Sequence, residues 1–144
     1  MSYKGFYKIK NPRKYRGNPT QCIFRSLWER KFMKYCDTNE KVLRWSSEEV
    51  RIPYLSPIDR RVHHYYVDFW IEVQDREGRI RECLVEIKPK RQLKKPEMKG
   101  SKTSYLKEVR TFIINTEKWR SARMYCKKKN WSFKILTERE LFGR

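Results

Sequence analysis

Residues 62–74 and 79–88 each alternate apolar with polar side chains, and the turn-favouring segment Asp75-Arg76-Glu77-Gly78 lies between them. A period of two over runs of this length belongs to half-buried strands, and the intervening turn predicts that they pair as a β-hairpin. In the first run Val67, Phe69, Ile71 and Val73 form one face, and Tyr66, Asp68, Trp70 and Glu72 form the other. In the second, Cys83, Val85 and Ile87 oppose Leu84, Glu86 and Lys88. Placing residue 75 opposite residue 79 fixes the register: Val67 meets Ile87, Phe69 meets Val85 and Ile71 meets Cys83. A slip of one residue would set Val and Phe against charges on the wrong side. The same register sets Asp68 opposite Glu86, with Cβ atoms roughly 5 Å apart, and Lys88 two residues along on that face. It also opposes Glu72 and Glu82, an unfavourable pair that predicts fraying or a bulge near the turn.

The rest of the chain is organised around this hairpin. Residues 1–19 read as a basic, aromatic, loop-like arm, interrupted by Pro12, Gly17 and Pro19, and residues 20–144 as one domain. Phe24, Leu27, Trp28, Phe32 and Tyr35 recur at helical spacing to about residue 37, with Glu29 bordering the apolar face near the start. Strand-like runs follow at 41–45 and 50–55. Beyond the hairpin and a basic loop, 109–115 reads as a buried strand, 116–129 as a helix, 132–136 as a strand and 137 onward as a short helix. That order, helix, three or four strands, helix, strand, predicts an α/β fold with a central mixed β-sheet flanked by α-helices.

Charge limits what such a domain can meet. Thirty-six Lys and Arg against 17 Asp and Glu leave a formal charge of +19, a surface that attracts polyanions. The excess concentrates in two stretches, residues 1–30 and 88–102. In the first, Arg13, Lys14 and Arg16 interleave with Tyr3, Phe6, Tyr7 and Tyr15; the second carries Lys90, Arg91, Lys94, Lys95 and Lys99. Both are candidate DNA contacts, although a merely soluble basic tail would have the same composition. No stretch approaches the roughly 18 consecutive apolar residues of a membrane span, and the N-terminal region has no signal-peptide core, which predicts a cytosolic protein. The expected partner is DNA, with neither a membrane nor a small-molecule substrate.

The four cysteines, Cys22, Cys36, Cys83 and Cys126, form no CxxC pair and are expected as reduced, mostly buried thiols. Adjacent His63 and His64 would face opposite sides of a strand and cannot chelate one ion together.

Two carboxylates facing each other across a hairpin repel unless a cation sits between them. A divalent ion such as Mg²⁺ takes hard oxygen ligands, so Asp68, Glu86 and a main-chain carbonyl suffice, and a lysine on the same face can act on water or on phosphate charge. An isolated E-x-K is more often a solvated strand face. Here a paired Asp precedes it and a basic loop follows.

Val67-Asp68 followed by Glu86-Ile87-Lys88 resembles the catalytic signature of the PD-(D/E)XK nuclease superfamily. Ser26-Leu27-Trp28-Glu29 and Leu84-Val85-Glu86-Ile87-Lys88-Pro89 further resemble the branch that holds the endonuclease subunit of Tn7 transposase. Within it, the length, the arm and Ile135-Leu136-Thr137-Glu138 are similar to the head completion nucleases of T4-type bacteriophages. Val67 replaces the proline that names the motif. Glu86 stands where the transposase subunit carries Gln, so transposition is not implied.

The resemblance implies a restriction-endonuclease-like fold and a Mg²⁺-dependent DNA nuclease, with Mn²⁺ as a possible substitute. It implies that Asp68 and Glu86 bind the metal, that the Ile87 carbonyl completes the site, that Lys88 acts on the water, and that Glu29 binds metal directly or through water. It further implies trimming of packaged DNA before head–tail joining, with portal or neck proteins as partners, in the host cytosol during assembly or in the virion neck. Ser26-x-x-Glu29 is equally the pattern of a capping box, in which Glu29 serves only the helix start. Glu48, Glu49 and Glu108 lack such support and are expected on the surface. Two other functions compete: a structural neck or DNA-binding protein with an inactive site, and a junction resolvase, which would need a symmetric dimer.

Overall fold

The computed structural model describes residues 3–143. Its centre is a four-stranded mixed sheet in the order β3 (Val42–Ser47), β6 (Phe69–Gln74), β7 (Ile80–Ile87), β8 (Ser132–Leu136). The first two pairings are antiparallel and the last is parallel. A parallel neighbour needs a crossover, and helix α2 (Lys102–Lys129) supplies it. Helix α1 (Leu27–Thr38) precedes β3, and the five-residue helix α3 (Glu138–Phe142) follows β8, held by a Thr137/Glu140 capping box. Two small antiparallel pairs complete the fold: β1 (Gly5–Phe6) with β2 (Ile23–Phe24), and β4 (Arg51–Leu55) with β5 (Val62–Tyr66). The predicted mixed sheet with flanking helices is therefore present.

Each face of the sheet buries its own core. On one side Trp45, Phe69, Ile71, Val85 and Ile87 pack with Phe32, Met33 and Cys36 of α1 and with Tyr7 and Tyr15 from the arm. On the other, Trp70 and Leu84 pack with Trp119, Ala122 and Cys126 of α2 and with Ile52, Tyr54 and Tyr65 of the β4–β5 pair. All four cysteines are buried and free, as expected.

The hairpin registers as predicted through Phe69↔Val85 and Ile71↔Cys83, with Gly78 supplying the positive φ (82°) that its turn requires. It does not begin at residue 62. Residues 62–66 pair with β4, and the chain changes sheets at Val67-Asp68, where Val67 N–H donates to Val50 O and Asp68 O accepts from Glu48 N–H. The predicted Val67–Ile87 pair is lost, and Val67 joins the α2-side core instead of the face of Phe69. Glu72 does face Glu82, yet neither fraying nor a bulge relieves them. Arg44 holds Glu72 at 2.9 Å and the Trp131 indole N–H donates to Glu82 at 2.8 Å.

A second correction concerns 109–115, which is no strand. It lies within the 28-residue helix α2, capped by the Ser101 hydroxyl and closed by Asn130 in the left-handed conformation. Val109, Phe112, Ile113 and Ile114 resemble a short buried strand only when read locally. No Gly or Pro interrupts 101–130, so helix propagates through them.

The arm is folded onto the domain. Buried Asp37 of α1 accepts from the Tyr7 hydroxyl (2.9 Å) and from the backbone N–H groups of Lys10 (2.8 Å) and Asn11 (2.9 Å). The Asn11 side-chain amide returns a bond to Asp37 O (2.8 Å). Each is a charge-assisted or neutral bond that satisfies a group which would otherwise be stranded.

Candidate active site

The break at Val67-Asp68 builds the site. Where the β6–β7 ladder ends, the Ile87 N–H donates to Asp68 Oδ2 at 2.8 Å instead of to a main-chain carbonyl, and Asp68 N–H donates to Glu86 Oε1 at 3.3 Å. The two carboxylates thus secure each other's strands. Glu86 is 5% exposed, while Asp68, though densely surrounded, keeps part of its surface open. Burial pushes both carboxyls above the ordinary carboxylate range, and for Asp68 the charge of Glu86 adds to the effect. Desolvated, mutually repelling carboxylates favour a proton or a cation between them.

Lys88 leaves the end of β7 with its ammonium 4.0 Å from Glu86 Oε2 and its side chain 28% exposed. That is a loose ion pair with hydrogen-bonding capacity to spare. From the opposite side Tyr65 of β5 turns its buried hydroxyl toward Glu86; it is near enough to favour the ionised carboxylate but completes no normal hydrogen bond. Lys118 of α2 stands beside it, half-buried, with burial lowering its pKa against the pull of Glu86 and Asp68.

Glu29 resolves only in part into a capping residue. The Ser26 hydroxyl accepts from Glu29 N–H (3.2 Å), but the Glu29 carboxylate accepts from Arg25 N–H (3.2 Å) rather than from the cap residue's own N–H. Burial, with the nearby Asp68 charge, raises its pKa to about 7. Glu48, expected on the surface, lies at the margin of this group. It is ion-paired with Arg25 at 2.9 Å and adopts a positive φ of 55°, and its field reaches Glu29 and Asp68.

Among the described residues no three Asp, Glu, His or Cys side chains converge as a metal cluster. The donor set is therefore Asp68 and Glu86, with Glu29 farther out. Two largely desolvated hard-oxygen carboxylates with no close ion pair fit a hard divalent cation that accepts few protein ligands and retains waters. His63 and His64 take no part; His63 Nε2 lies 2.7 Å from Asp59 Oδ2 in the β4–β5 region.

The basic segments diverge. Lys90, Arg91, Lys94, Lys95 and Lys99 emerge exposed directly after β7, Lys90 and Arg91 on a 3-10 turn (Lys90–Leu93) whose first N–H donates to Glu138. Lys99 lies 3.6 Å from Glu97. In the arm, Arg13 is exposed and Arg16 stacks its guanidinium 4.6 Å from the Trp70 ring centroid. Lys14 instead donates to the carbonyls of Asp37 (3.1 Å) and Asn39 (3.0 Å), so its charge is engaged by the fold.

Residues that sequence reasoning missed are Tyr65, Lys118, Arg25 and Glu48. For Lys118 a signal exists: Asn115, Trp119, Ala122 and Cys126 mark the buried face of α2, and Lys118 borders it. The others depend on the sheet change at residues 67–68, which alternation alone does not reveal.

A sheet end that brings two carboxylates together beside a lysine has the groups that metal-assisted hydrolysis uses. Residues 39–138 match the model of the TnsA-like endonuclease N-terminal domain, and the chain belongs to that family, with a mixed sheet consistent with the restriction-endonuclease-like fold. It is similar to the "Head completion nuclease" of Enterobacteria phage T4, 34% identical over 143 residues that cover 96% of this chain and 93% of the relative. No solved structure matches the chain. The family match starts after Glu29, so α1 with Glu29 falls outside it.

Proposed function

We propose that this protein is a divalent-metal-dependent bacteriophage DNA nuclease that trims packaged DNA at head completion, before head–tail joining. The observation that carries the reading is the Asp68–Glu86 pair, Glu86 buried and Asp68 partly open, mutually repelling and flanked by Lys88. The net reaction adds water across a phosphodiester: the water oxygen bonds to phosphorus, and the departing ester oxygen takes up a proton to become an alcohol. Asp68, Glu86 and the Ile87 carbonyl would hold Mg²⁺, with Mn²⁺ able to replace it. When bound, the metal offsets phosphate charge and lowers the pKa of a coordinated water. Lys88 orients that water or stabilises charge on the phosphate oxygens, and Glu29 acts from the second carboxylate layer through water.

DNA would be held by its backbone, through Lys90, Arg91, Lys94, Lys95 and Lys99 beside the site and Arg13 and Arg16 on the arm. Portal or neck proteins are the proposed protein partners, in the host cytosol during assembly and at the virion neck. No helix among the described residues is long and apolar enough to cross a membrane.

Incubating the purified protein with linear and with circular DNA, in Mg²⁺ or Mn²⁺ and in excess chelator, tests the reading. Cleavage is expected only with metal. Full activity in chelator, or none in either metal, overturns it.

A further inference from the structure

We propose that Lys118 is a second phosphate-contacting lysine of the cleavage site, reaching a non-bridging oxygen of the scissile group from the helix side while Lys88 reaches it from the strand side. The inference rests on the nuclease reading above and assigns a catalytic role to a helix that lies across the sheet from α1.

Position is the first argument. Trp119, Ala122 and Cys126 seat α2 against Leu84, and Glu86 is the next residue of β7 on that same face. One helical position from Trp119, Lys118 is carried to the edge of the carboxylate pair, where its field acts on Glu86, Asp68 and Lys88 together. Its ammonium rests 5.5 Å from the Tyr65 ring centroid and 5.9 Å from that of Tyr54. Those rings hold the charge by their faces and leave its hydrogen-bond donors unspent.

A second argument is the lack of a partner. Lys118 forms no hydrogen bond with, and no salt bridge to, any described residue, although two carboxylates are near. A half-buried ammonium without an acceptor is costly. Glu86 and Asp68 attract it and Lys88 repels it, so a cation that offsets the two carboxylates would leave Lys118 and Lys88 facing a place that favours an anion.

Charge supplies the third argument. Once a divalent cation offsets Asp68 and Glu86, Lys88 alone leaves one positive charge, which suits a ground-state phosphodiester. Lys118 makes it two, which suits the dianionic pentavalent transition state. An interaction stronger in the transition state than with bound substrate raises the chemical rate rather than affinity.

Single-turnover cleavage by the full-length protein, in saturating excess over DNA and at saturating Mg²⁺, tests this with Lys118→Ala, Lys118→Met and Lys118→Arg. Losing one such donor should slow the chemical step about a hundredfold in the Ala and Met variants. Arg should recover about tenfold, because it restores the charge on a differently shaped head. Met preserves the packing against Tyr54 and Tyr65, so it carries the decision if Ala fails to fold. Rates within about threefold of the parent in Lys118→Met overturn the proposal. If the parent itself cleaves nothing, the nuclease reading fails. Anisotropy of a short duplex in Ca²⁺ adds a readout apart from cleavage: affinity within about threefold of the parent is expected for Lys118→Met, and a loss of affinity as large as the loss of rate would make Lys118 a ground-state binding residue and overturn the proposal.

Discussion

The β6–β7 hairpin carries two acidic pairs, and they are treated in opposite ways. At the turn end, Glu72 and Glu82 are directly opposed, and each has been given a partner: Arg44 for the first, the Trp131 indole for the second. The guanidinium of Arg44 holds the Glu72 carboxyl below the ordinary range. At the other end Asp68 and Glu86 are more deeply set, receive main-chain N–H groups and no close ion pair, only the loose approach of Lys88 and the more distant field of Lys118, and are pushed the other way. Where opposition is incidental, a fold neutralises it with side chains. Where the repulsion is left in place at a higher desolvation cost, the missing counter-charge is expected from outside.

The sharpest way to break this comparison is to remove one member of each pair. Asp68→Asn, Glu86→Gln and Lys88→Ala should each lower cleavage about a thousandfold, whereas Glu72→Gln should leave it near the parent level. The thermal midpoint of metal-free Asp68→Asn should not fall, because an amide oxygen can still accept from Ile87 N–H while the repulsion disappears. A folded Asp68→Asn variant with parental activity would end the distinction between the two ends.

Glu29→Ala probes how far the uncompensated charge extends. Loss of the cap alone costs about 1 kcal/mol and leaves the rate intact, so a rate loss of tenfold or more, measured together with stability, assigns Glu29 to the reaction.

The pairs should also respond to pH with opposite sign. Glu29, moved from 4.5 to about 7 by burial and the Asp68 charge, favours the protonated folded state. Its contribution is complete below pH 4.5 and is lost as pH rises toward 7, and Asp68 and Glu86 act in the same direction. Glu72 contributes above its ordinary range and loses that contribution as pH falls. Thermal midpoints in chelator should therefore decline from about pH 5 to pH 8, and Mg²⁺ should raise the midpoint more at the higher value. Equal Mg²⁺ shifts at both values would argue against the pair as its site.

Smaller effects separate what lies beyond each end. The Lys94→Ala, Lys95→Ala double variant should weaken DNA binding alike across sequences, with each lost contact lowering the log–log salt slope by about 0.9. An unchanged slope would move the contact to Arg13 and Arg16. Arg44→Ala, at the exposed end, should leave cleavage unchanged and shift the thermal midpoint least of all.

Much of this contrast was legible in the sequence, because a side-chain period of two fixes which residues share a face once the turn is located. Phe69, Val85, Ile71 and Cys83 pair as alternation predicts, and Asp68 and Glu86 do meet. What alternation could not show is that the strand ends at Tyr66 and restarts at Phe69. A chain that changes sheets keeps its polar–apolar rhythm while exchanging the faces, so alternation puts Val67 with Phe69 although it packs on the α2 side. The strand expected at 109–115 failed for a related reason: β-branched residues in a short window outweighed thirty residues without a helix breaker. Glu48 was invisible because tertiary packing alone brings it to the site, and Lys118 could be placed at the edge of a buried helix face but not at the carboxylates.

The clasp at Asp37 has a consequence for how the chain matures. Its bonds to Tyr7, Lys10 and Asn11 span 26 to 30 residues, and the receiving surface requires both α1 and the wall around Trp45. A nascent arm has nothing to recognise until those elements have assembled, so it docks late and is the segment released by the smallest opening. Brief proteolysis should consequently clip the arm before it reaches the sheet, and Asp37→Ala should make that first cut faster while the remaining fragment is spared longer.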